Sequence, residues 1–280
     1  MRIINDLDEM TETARGWLAG GSVGFVPTMG YLHQGHVTLM QAAHKECEIS
    51  VASIFVNPIQ FEEDEDFARY PRDLPRDLQL LSAAGIDVVF IPRTEDLYPT
   101  NFSTYVTPSN FPWAMPLVKG VGSQIYIRGV TTVITKLFQL VRPDIAYFGQ
   151  KNAPQVAIVR QLVRDLNIDV ELRVMPTIRE SDGLAMGSRN HFLTVPERQA
   201  ASAIYRALLA GKALIDGNVR NSAAIEKAMI DLLVMEPLLT LDYVKVCHPD
   251  TLSNVDTVTS GTMLIVAAHI GKFHLIDNII

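Results

Sequence analysis

The chain predicts an α/β fold built on a parallel sheet, followed by a smaller α+β domain. Short apolar runs rich in Val, Ile and Phe alternate with amphipathic segments as far as about residue 178, which is the grammar of strands joined by right-handed helical crossovers. Beyond that point two helical segments come in succession and strand-like segments follow them, without alternation. The length, 280 residues, is enough for one large domain or two modest ones with sizeable cores. The expected division is 1–178 and 179–280.

The elements follow in order. A helix is expected over residues 6–19, and SVGFVPT then supplies a short apolar strand ending at Pro27. After Gly35, HVTLMQAAHKEC places Met40, Ala43 and Cys47 at helical spacing, a helix with one buried stripe. ISVASIFV, 49–56, is a buried strand stopped by Asn57-Pro58; residues 74–84 are helical, and IDVVFIP is a strand ending at Pro92. VTTVITKLFQLV is a helix, IAYFG a strand, residues 155–165 a helix and DVELRVM a strand. In the second part PERQAASAIYRALLAGKALID and NSAAIEKAMIDLLV are helices, and LDYVKVC and GTMLIVAAHI are strands. The polar segment ESDGLAMGSRN, 180–190, lies at the junction, a favoured place for a ligand contact and one able to move.

A net charge of −7 with no basic run argues against a nucleic-acid partner, because phosphate contacts dominate that affinity. Small molecules are the expected substrates. Cys47 and Cys247 are the only cysteines, so no disulfide framework is suggested and a reducing compartment fits. The opening MRIINDLDEM lacks the basic start and apolar core of a signal peptide, and no apolar run reaches the ~18 residues of a membrane span. A cytoplasmic protein is expected, without membrane partners.

PTMGYLHQGH, residues 27–36, runs from a strand end into a helix N-terminus. That is where open parallel sheets bind ligands, and where free backbone N–H groups attract phosphate. Gly30 and Gly35 allow close backbone approach, and His33 and His36 are placed to donate to phosphate oxygens. A metal pair would need further ligands; His44 and Cys47 have the same spacing, but Cys47 falls on the apolar stripe and nothing acidic interleaves the set. Two simply packed histidines are the plain alternative. There is no G-x-x-x-x-G-K-[ST] loop, and GVG at 120–122 is too little for a dinucleotide fingerprint. A bound nucleotide would need separate cations, for which Lys151 in YFGQKN and Arg189 in GLAMGSRN are candidates.

Five stretches together resemble the pantoate–beta-alanine ligase (pantothenate synthetase) family: PTMGYLHQGH, FVNPIQF with EDFARYPRD behind it, YFGQKNAPQ, RESDGLAMGSRNHFL and the closing LIDNII. They occur in the family's order and span essentially the whole chain, although H-x-G-H alone is shared with many nucleotidyltransferases. The resemblance implies a Rossmann-like catalytic domain of the H-x-G-H nucleotidyltransferase type, a smaller C-terminal lid, a homodimer, and use of ATP with Mg2+. It implies that pantoate is adenylated with loss of pyrophosphate, and that the amine of beta-alanine then displaces AMP.

By the same resemblance His33 and His36 serve the α- and β-phosphates, His36 as proton donor, while Lys151 holds departing phosphate oxygens and Ser188 and Arg189 close on them. Gln60 and Gln155 grip pantoate, alongside Pro27 and Met29. Met29, Gly30, Gly149, Asn152, Ile178, Met186 and Gly187 complete the nucleotide contacts, and Asp77 is a candidate for holding magnesium indirectly. Each has a plainer reading: polar loop residues for the glutamines, solvated charges for Lys151 and Arg189, a helix-surface carboxylate for Asp77. The acidic run EEDED, 62–66, reads as a solvated face.

The chain departs from the family pattern at Asn152, where an aspartate is usual; at Gly187, in place of serine; at Ser123 and Tyr126, in place of arginine and histidine; and at His274, in place of arginine. Asparagine still hydrogen-bonds a hydroxyl but adds no charge, and neither serine nor histidine reproduces the planar guanidinium fork. These changes motivate two competing readings: a paralogue that adenylates another hydroxy acid for another amine, and a non-catalytic homologue. Retention of His33, His36, Lys151, Arg189 and both glutamines favours working adenylation chemistry.

Overall fold

The structure, a computed structural model, describes residues 1–17, 20–61, 64–109 and 124–280, with the backbone alone for 64–66. Ser123 and the GVG at 120–122 lie outside the described residues, as do the first two positions of the acidic run. The chain divides into two compact units: residues 1–109, 124–149 and 158–175 form one, and residues 150–157 with 176–280 form the other. The segment carrying Lys151, Asn152 and Gln155 thus groups with the C-terminal residues.

The first unit is organised by a six-stranded parallel sheet. Its strands are β1 (Arg2–Ile4), β2 (Val23–Thr28), β3 (Ile49–Ile54), β4 (Val88–Phe90), β5 (Ile145–Gly149) and β6 (Glu171–Met175), in the order β1-β4-β3-β2-β5-β6. Successive strands run outward from β2 in one direction and then in the other, so the crevice at the carboxyl ends of β2 and β5 is the switch point where such sheets bind ligands. The helices are α1 (Leu7–Trp17), α2 (Gln34–Glu46), α3 (Asp64–Arg69), α4 (Leu74–Ala83), α5 (Thr94–Leu97) and α6 (Gln124–Val141). The expected stripe on α2 is buried: Met40, Ala43 and Cys47 pack with Val26, Ala52, Val89 and Tyr147. β1 has no counterpart among the expected strands, because three residues of Arg-Ile-Ile show no periodicity; it is recruited by pairing with β4.

Pro27 is responsible for opening the crevice. Odd-numbered residues of β2 face β5, as shown by the Asp144 N–H donating to the Val23 carbonyl at 2.9 Å, and even-numbered ones face β3, where the Phe55 N–H donates to the Thr28 carbonyl at 3.0 Å. Pro27 therefore has no N–H where β5 needs one. Pairing between β2 and β5 stops at Phe25↔Ala146, although β5 stays paired with β6 as far as Gly149↔Met175. The two central strands part at their carboxyl ends, just before the loop at residue 29.

The second unit carries α8 (Val195–Asp216) and α9 (Ser222–Leu233) with the antiparallel strands β7 (Leu239–Cys247), β8 (Met263–Ile270) and β9 (Phe273–Ile279); α7 (Ala153–Asp165) bridges the residue division. The T-V-P-E start of α8 is a capping box: Thr194 Oγ1 accepts the Glu197 N–H, and the Glu197 carboxylate accepts the Thr194 N–H at 2.8 Å. Ile204, Ala207 and Leu208 of α8 and Ile225, Met229 and Leu233 of α9 pack against Val244, Val246, Leu264 and Val266 of the sheet. The parallel sheet followed by a helical pair and an antiparallel sheet bears out the fold class read from the sequence.

β9 is a strand the sequence pattern does not show, although its LIDN is recognisable as a motif. Asp277, 2% exposed, accepts two hydrogen bonds from Arg179, at 2.6 and 3.0 Å, and Arg179 also donates to the Asn278 and Gly183 carbonyls. The guanidinium lies 4.0 Å from the centre of the Tyr205 ring. Removing one partner of such a pair leaves the other charged and desolvated. Asp277→Ala is expected to lower the unfolding free energy by about 3–5 kcal/mol, read from the shift of the urea midpoint.

Candidate active site

The loop that leaves β2 is set by one carboxylate. Asp77, on α4 and 1% exposed, accepts the Tyr31 N–H through Oδ2 and the Leu32 N–H through Oδ1, both at 2.7 Å. These bonds hold two consecutive residues in left-handed conformations, Gly30 at φ +80° and Tyr31 at φ +49°, the second of them unusual for a tyrosine. Burial pushes the Asp77 carboxyl above its ordinary range, and the Leu32 and Tyr31 N–H groups and Arg76 work against that rise. The resemblance implies an indirect magnesium ligand at Asp77; both its oxygens are engaged by the loop it anchors, which is a structural use of the group.

The chain then enters α2 through an unusual capping box. His33 is the N-cap: its Nδ1 accepts the Gly35 N–H at 3.1 Å, and the Nδ1 of His36, three positions on, accepts the His33 N–H at 3.3 Å. Serine and glutamate normally do this work. The two rings lie 4.0 Å apart, tilted by 40°. A side chain at position 35 would meet the His33 ring at 2.9 Å, so the glycine of H-x-G-H is required by the ring folding back over the first turn. Because each Nδ1 is an acceptor, the proton of each neutral imidazole resides on Nε2. The motif presents two ring N–H donors at a helix N-terminus, a pairing suited to phosphate oxygens.

Gln60 follows β3 on a single 3-10 turn, Pro58–Gln60. Its Oε1 accepts from Asn57 Nδ2 at 3.1 Å, its Nε2 contacts Met29 Sδ at 2.9 Å, and Asn57 also donates to the Gly129 carbonyl at 3.0 Å. The structure therefore brings Gln60 and Met29 together, and Asn57, read from the sequence only as a strand stop, positions Gln60. Pro27, Met29, His33, His36, Gln60 and Gly149 are all half-buried, and Tyr126 is half-buried near the start of α6. A cavity beside the loop is lined by Met29, Tyr31, Phe55, Asp77 and Arg93 among others.

In the second unit the junction segment is a tight hairpin. The Met186 N–H donates to the Ile178 carbonyl and the Glu180 N–H to the Leu184 carbonyl, both at 2.9 Å, with Gly183 at φ +91° in the turn. Asn190 Nδ2 ties its far end to Glu180 Oε1 and the Ala185 carbonyl, each at 3.0 Å. Ile178, Met186, Gly187 and Ser188 are half-buried on this hairpin and Arg189 is exposed at its end.

Lys151 is held from β9. Asn278 Nδ2 donates to the Gln150 and Lys151 carbonyls at 2.9 and 3.0 Å, and Gln150 Nε2 donates to Asn278 Oδ1 at 3.0 Å. Asn152 and Gln155 bond each other, Nδ2 to Oε1, at 2.9 Å. Burial pushes the Lys151 ammonium down to about 8; Asp277 opposes the fall, and Arg189 and Arg179 add to it. The ammonium also fills the space beside Gly187: a β-carbon there would press on Lys151 Nζ, the movable end of its side chain. Where the sequence suggests only a missing hydroxyl, the space is taken by the lysine.

A family model for pantoate-beta-alanine ligase matches residues 2–280. A pantothenate synthetase from Herpetosiphon aurantiacus is 46% identical over 281 residues, covering 100% of both chains, and one from Chloroflexus aggregans is 47% identical over 96% of each. Among solved structures, pantothenate synthetase from Thermus thermophilus superposes with a TM-score of 0.91 at 41% identity, covering 100% of this chain and 99% of that one. Pantoate-beta-alanine ligase from Francisella tularensis, complexed with beta-gamma ATP and beta-alanine, gives a TM-score of 0.81 at 29% identity, covering 100% and 97%.

Two substitutions test the local geometry. Asp77→Ala strands two backbone donors and is expected to cost about 2–4 kcal/mol of stability, measured by chemical denaturation. Gly187→Ala displaces the Lys151 ammonium, the movable end of a flexible side chain; it should leave the denaturation midpoint within about 1 kcal/mol of the parent while lowering turnover roughly tenfold.

Proposed function

The chain belongs to the pantoate-beta-alanine ligase family, and from that premise we propose that it condenses pantoate with beta-alanine through an acyl adenylate formed from ATP. The observation that carries this reading is the H-x-G-H capping box, which offers two Nε2–H donors at a helix N-terminus beside the switch point of the sheet. In the first step a pantoate carboxylate oxygen bonds to the α-phosphorus and the bond to pyrophosphate breaks. In the second the beta-alanine nitrogen attacks the acyl carbon, AMP leaves with the former carboxylate oxygen, and the nitrogen gives up a proton.

His33 and His36 meet negative charge as it grows on the α- and β-phosphate oxygens, with His36 as proton donor to the departing group. Lys151 neutralises departing phosphate oxygens, and Ser188 and Arg189 add a hydroxyl and a guanidinium. Gly149, Asn152, Ile178, Met186 and Gly187 complete the nucleotide contacts, with the Asn152 amide serving a ribose hydroxyl. Gln60 and Gln155 take pantoate's polar groups beside Pro27 and Met29. Magnesium would enter on the nucleotide's own phosphates, the usual arrangement for this ion; Asp77, whose oxygens each accept one backbone N–H, would act on it at most indirectly, through the loop or a water. The working form is a cytoplasmic homodimer. Among the described residues no helix is long and apolar enough to cross a membrane.

The first step is isolated by pantoate-dependent exchange of pyrophosphate into ATP, without beta-alanine. No exchange at saturating pantoate would overturn the proposal. Lys151 is cationic below about pH 8 and neutral above it, so kcat/KM for ATP in this exchange should fall as pH rises past about 8. The slope should approach tenfold per pH unit, and Lys151→Arg, charged at every pH used, should remove that alkaline limb whatever it does to the maximum.

A further inference from the structure

The antiparallel sheet of the second unit brings together three side chains that the ligase chemistry does not use. His269 on β8 and His274 on β9 stand directly opposite each other, with ring centres 4.7 Å apart. On the other side of β8 the register of β7 slips between Leu241 and Tyr243, leaving Asp242 as the additional residue of a bulge. Bulges re-aim side chains, and this one turns a carboxylate toward the imidazoles. Asp242 Oδ2 lies 2.9 Å from His269 Nδ1 and 3.1 Å from His274 Nε2.

These contacts are not the aligned hydrogen bonds of a settled polar cluster. Asp242 Oδ2, His274 Nε2 and His274 Nδ1 are buried without a hydrogen-bond partner, and the His274 side chain is only 9% exposed. A buried polar atom left unpaired costs free energy, and an ion bound by Asp242 Oδ2 and His274 Nε2 removes that cost for both. The spacing fits such a ligand: bonds of 2.0–2.2 Å at tetrahedral or octahedral angles put neighbouring donor atoms about 2.8–3.6 Å apart. One candidate atom from each of the three residues lies within 4.8 Å of the other two, and turning the more exposed His269 ring closes the remaining gap. Among the described residues no other group of three such side chains has this geometry.

We propose that Asp242, His269 and His274 form a binding site for a divalent transition-metal ion, distinct from the magnesium that accompanies the nucleotide. Two imidazoles and one carboxylate select borderline ions such as Zn2+, Co2+ or Ni2+ over the oxygen-seeking Mg2+ and Ca2+. The positive charge of Arg189 acts on His274 and opposes any cation. The Asp242 carboxylate, with charge of the opposite sign, counters that repulsion. The three ligands come from three hydrogen-bonded strands, which fix their backbones before the ion arrives; His269, 37% exposed at its side chain, marks the side open to solvent and is the ring free to turn.

The test is a Co2+ titration of the untagged full chain, without substrates, in excess Mg2+ to fill hard-cation sites, followed by visible ligand-field absorption. One equivalent of Co2+ should bind and be displaced by Zn2+. His269→Ala should weaken binding at least tenfold, and His274→Arg should abolish it, its guanidinium pairing with Asp242 and keeping the sheet intact. No spectrum up to about 1 mM Co2+, or a spectrum unchanged in both variants, overturns the proposal. Pyrophosphate exchange by the same preparations is measured separately, so failure of this site and failure of the ligase reading are told apart.

Discussion

The grip of the Asp77 carboxylate on two backbone N–H groups is the constraint from which the N-terminal site is built. A chain leaving a parallel strand for a helix must reverse within a few residues, and here it does so through two left-handed residues, of which only the glycine adopts that conformation freely. A carboxylate buried at that point is costly to desolvate, and two N–H groups at 2.7 Å offset the cost while holding the backbone where it would otherwise relax. The reversal puts His33 at the N-cap, which puts His36 at the third helical position, which fixes the tautomer of both rings. Pro27 acts on the same place from the other side, by ending the ladder to β5.

The second unit solves a related problem with amide chemistry. Lys151 sits on a short irregular segment after β5, and irregular backbone needs outside partners for its carbonyls. Asn278 supplies them with one NH2 group, while its neighbour Asp277 faces the other way and pairs with Arg179 at the base of the hairpin. Two adjacent residues of one strand thereby hold both the lysine segment and the hairpin that bears Met186, Gly187, Ser188 and Arg189. The nearby charges also tune the lysine, because the arginines that build the hairpin lower its affinity for a proton while Asp277 raises it.

Much of this is legible in the sequence because it is local. H-x-G-H falls where a strand end runs into a helix N-terminus, the stripe on α2 follows helical periodicity, and alternating apolar runs read directly as parallel strands. What is not legible depends on partners far away. Asp77 looks like a surface aspartate until the loop 45 residues earlier folds onto it. Asn57 looks like a strand stop until Gly129, 72 residues on, comes within reach. Gly187 reads as a lost hydroxyl, and only the position of the Lys151 ammonium shows what a side chain there would have to move. β1 and β9 escape for different reasons: the first is too short for any periodicity, and the second mixes half-buried and buried positions without alternation.

The hold of Asn278 on Lys151 also has a consequence in time. The two residues are 127 positions apart, and synthesis proceeds at roughly 5–20 residues per second, so the lysine leaves the ribosome roughly 6–25 s before the amide that fixes its backbone. The first-unit strands β1 to β5 and their histidine motif can assemble in that interval, but the lysine segment cannot be completed. A nascent chain therefore carries its two histidines through an interval in which the lysine segment still lacks the amide that fixes its backbone. The backbone of the lysine segment is completed late, when β9 joins its sheet.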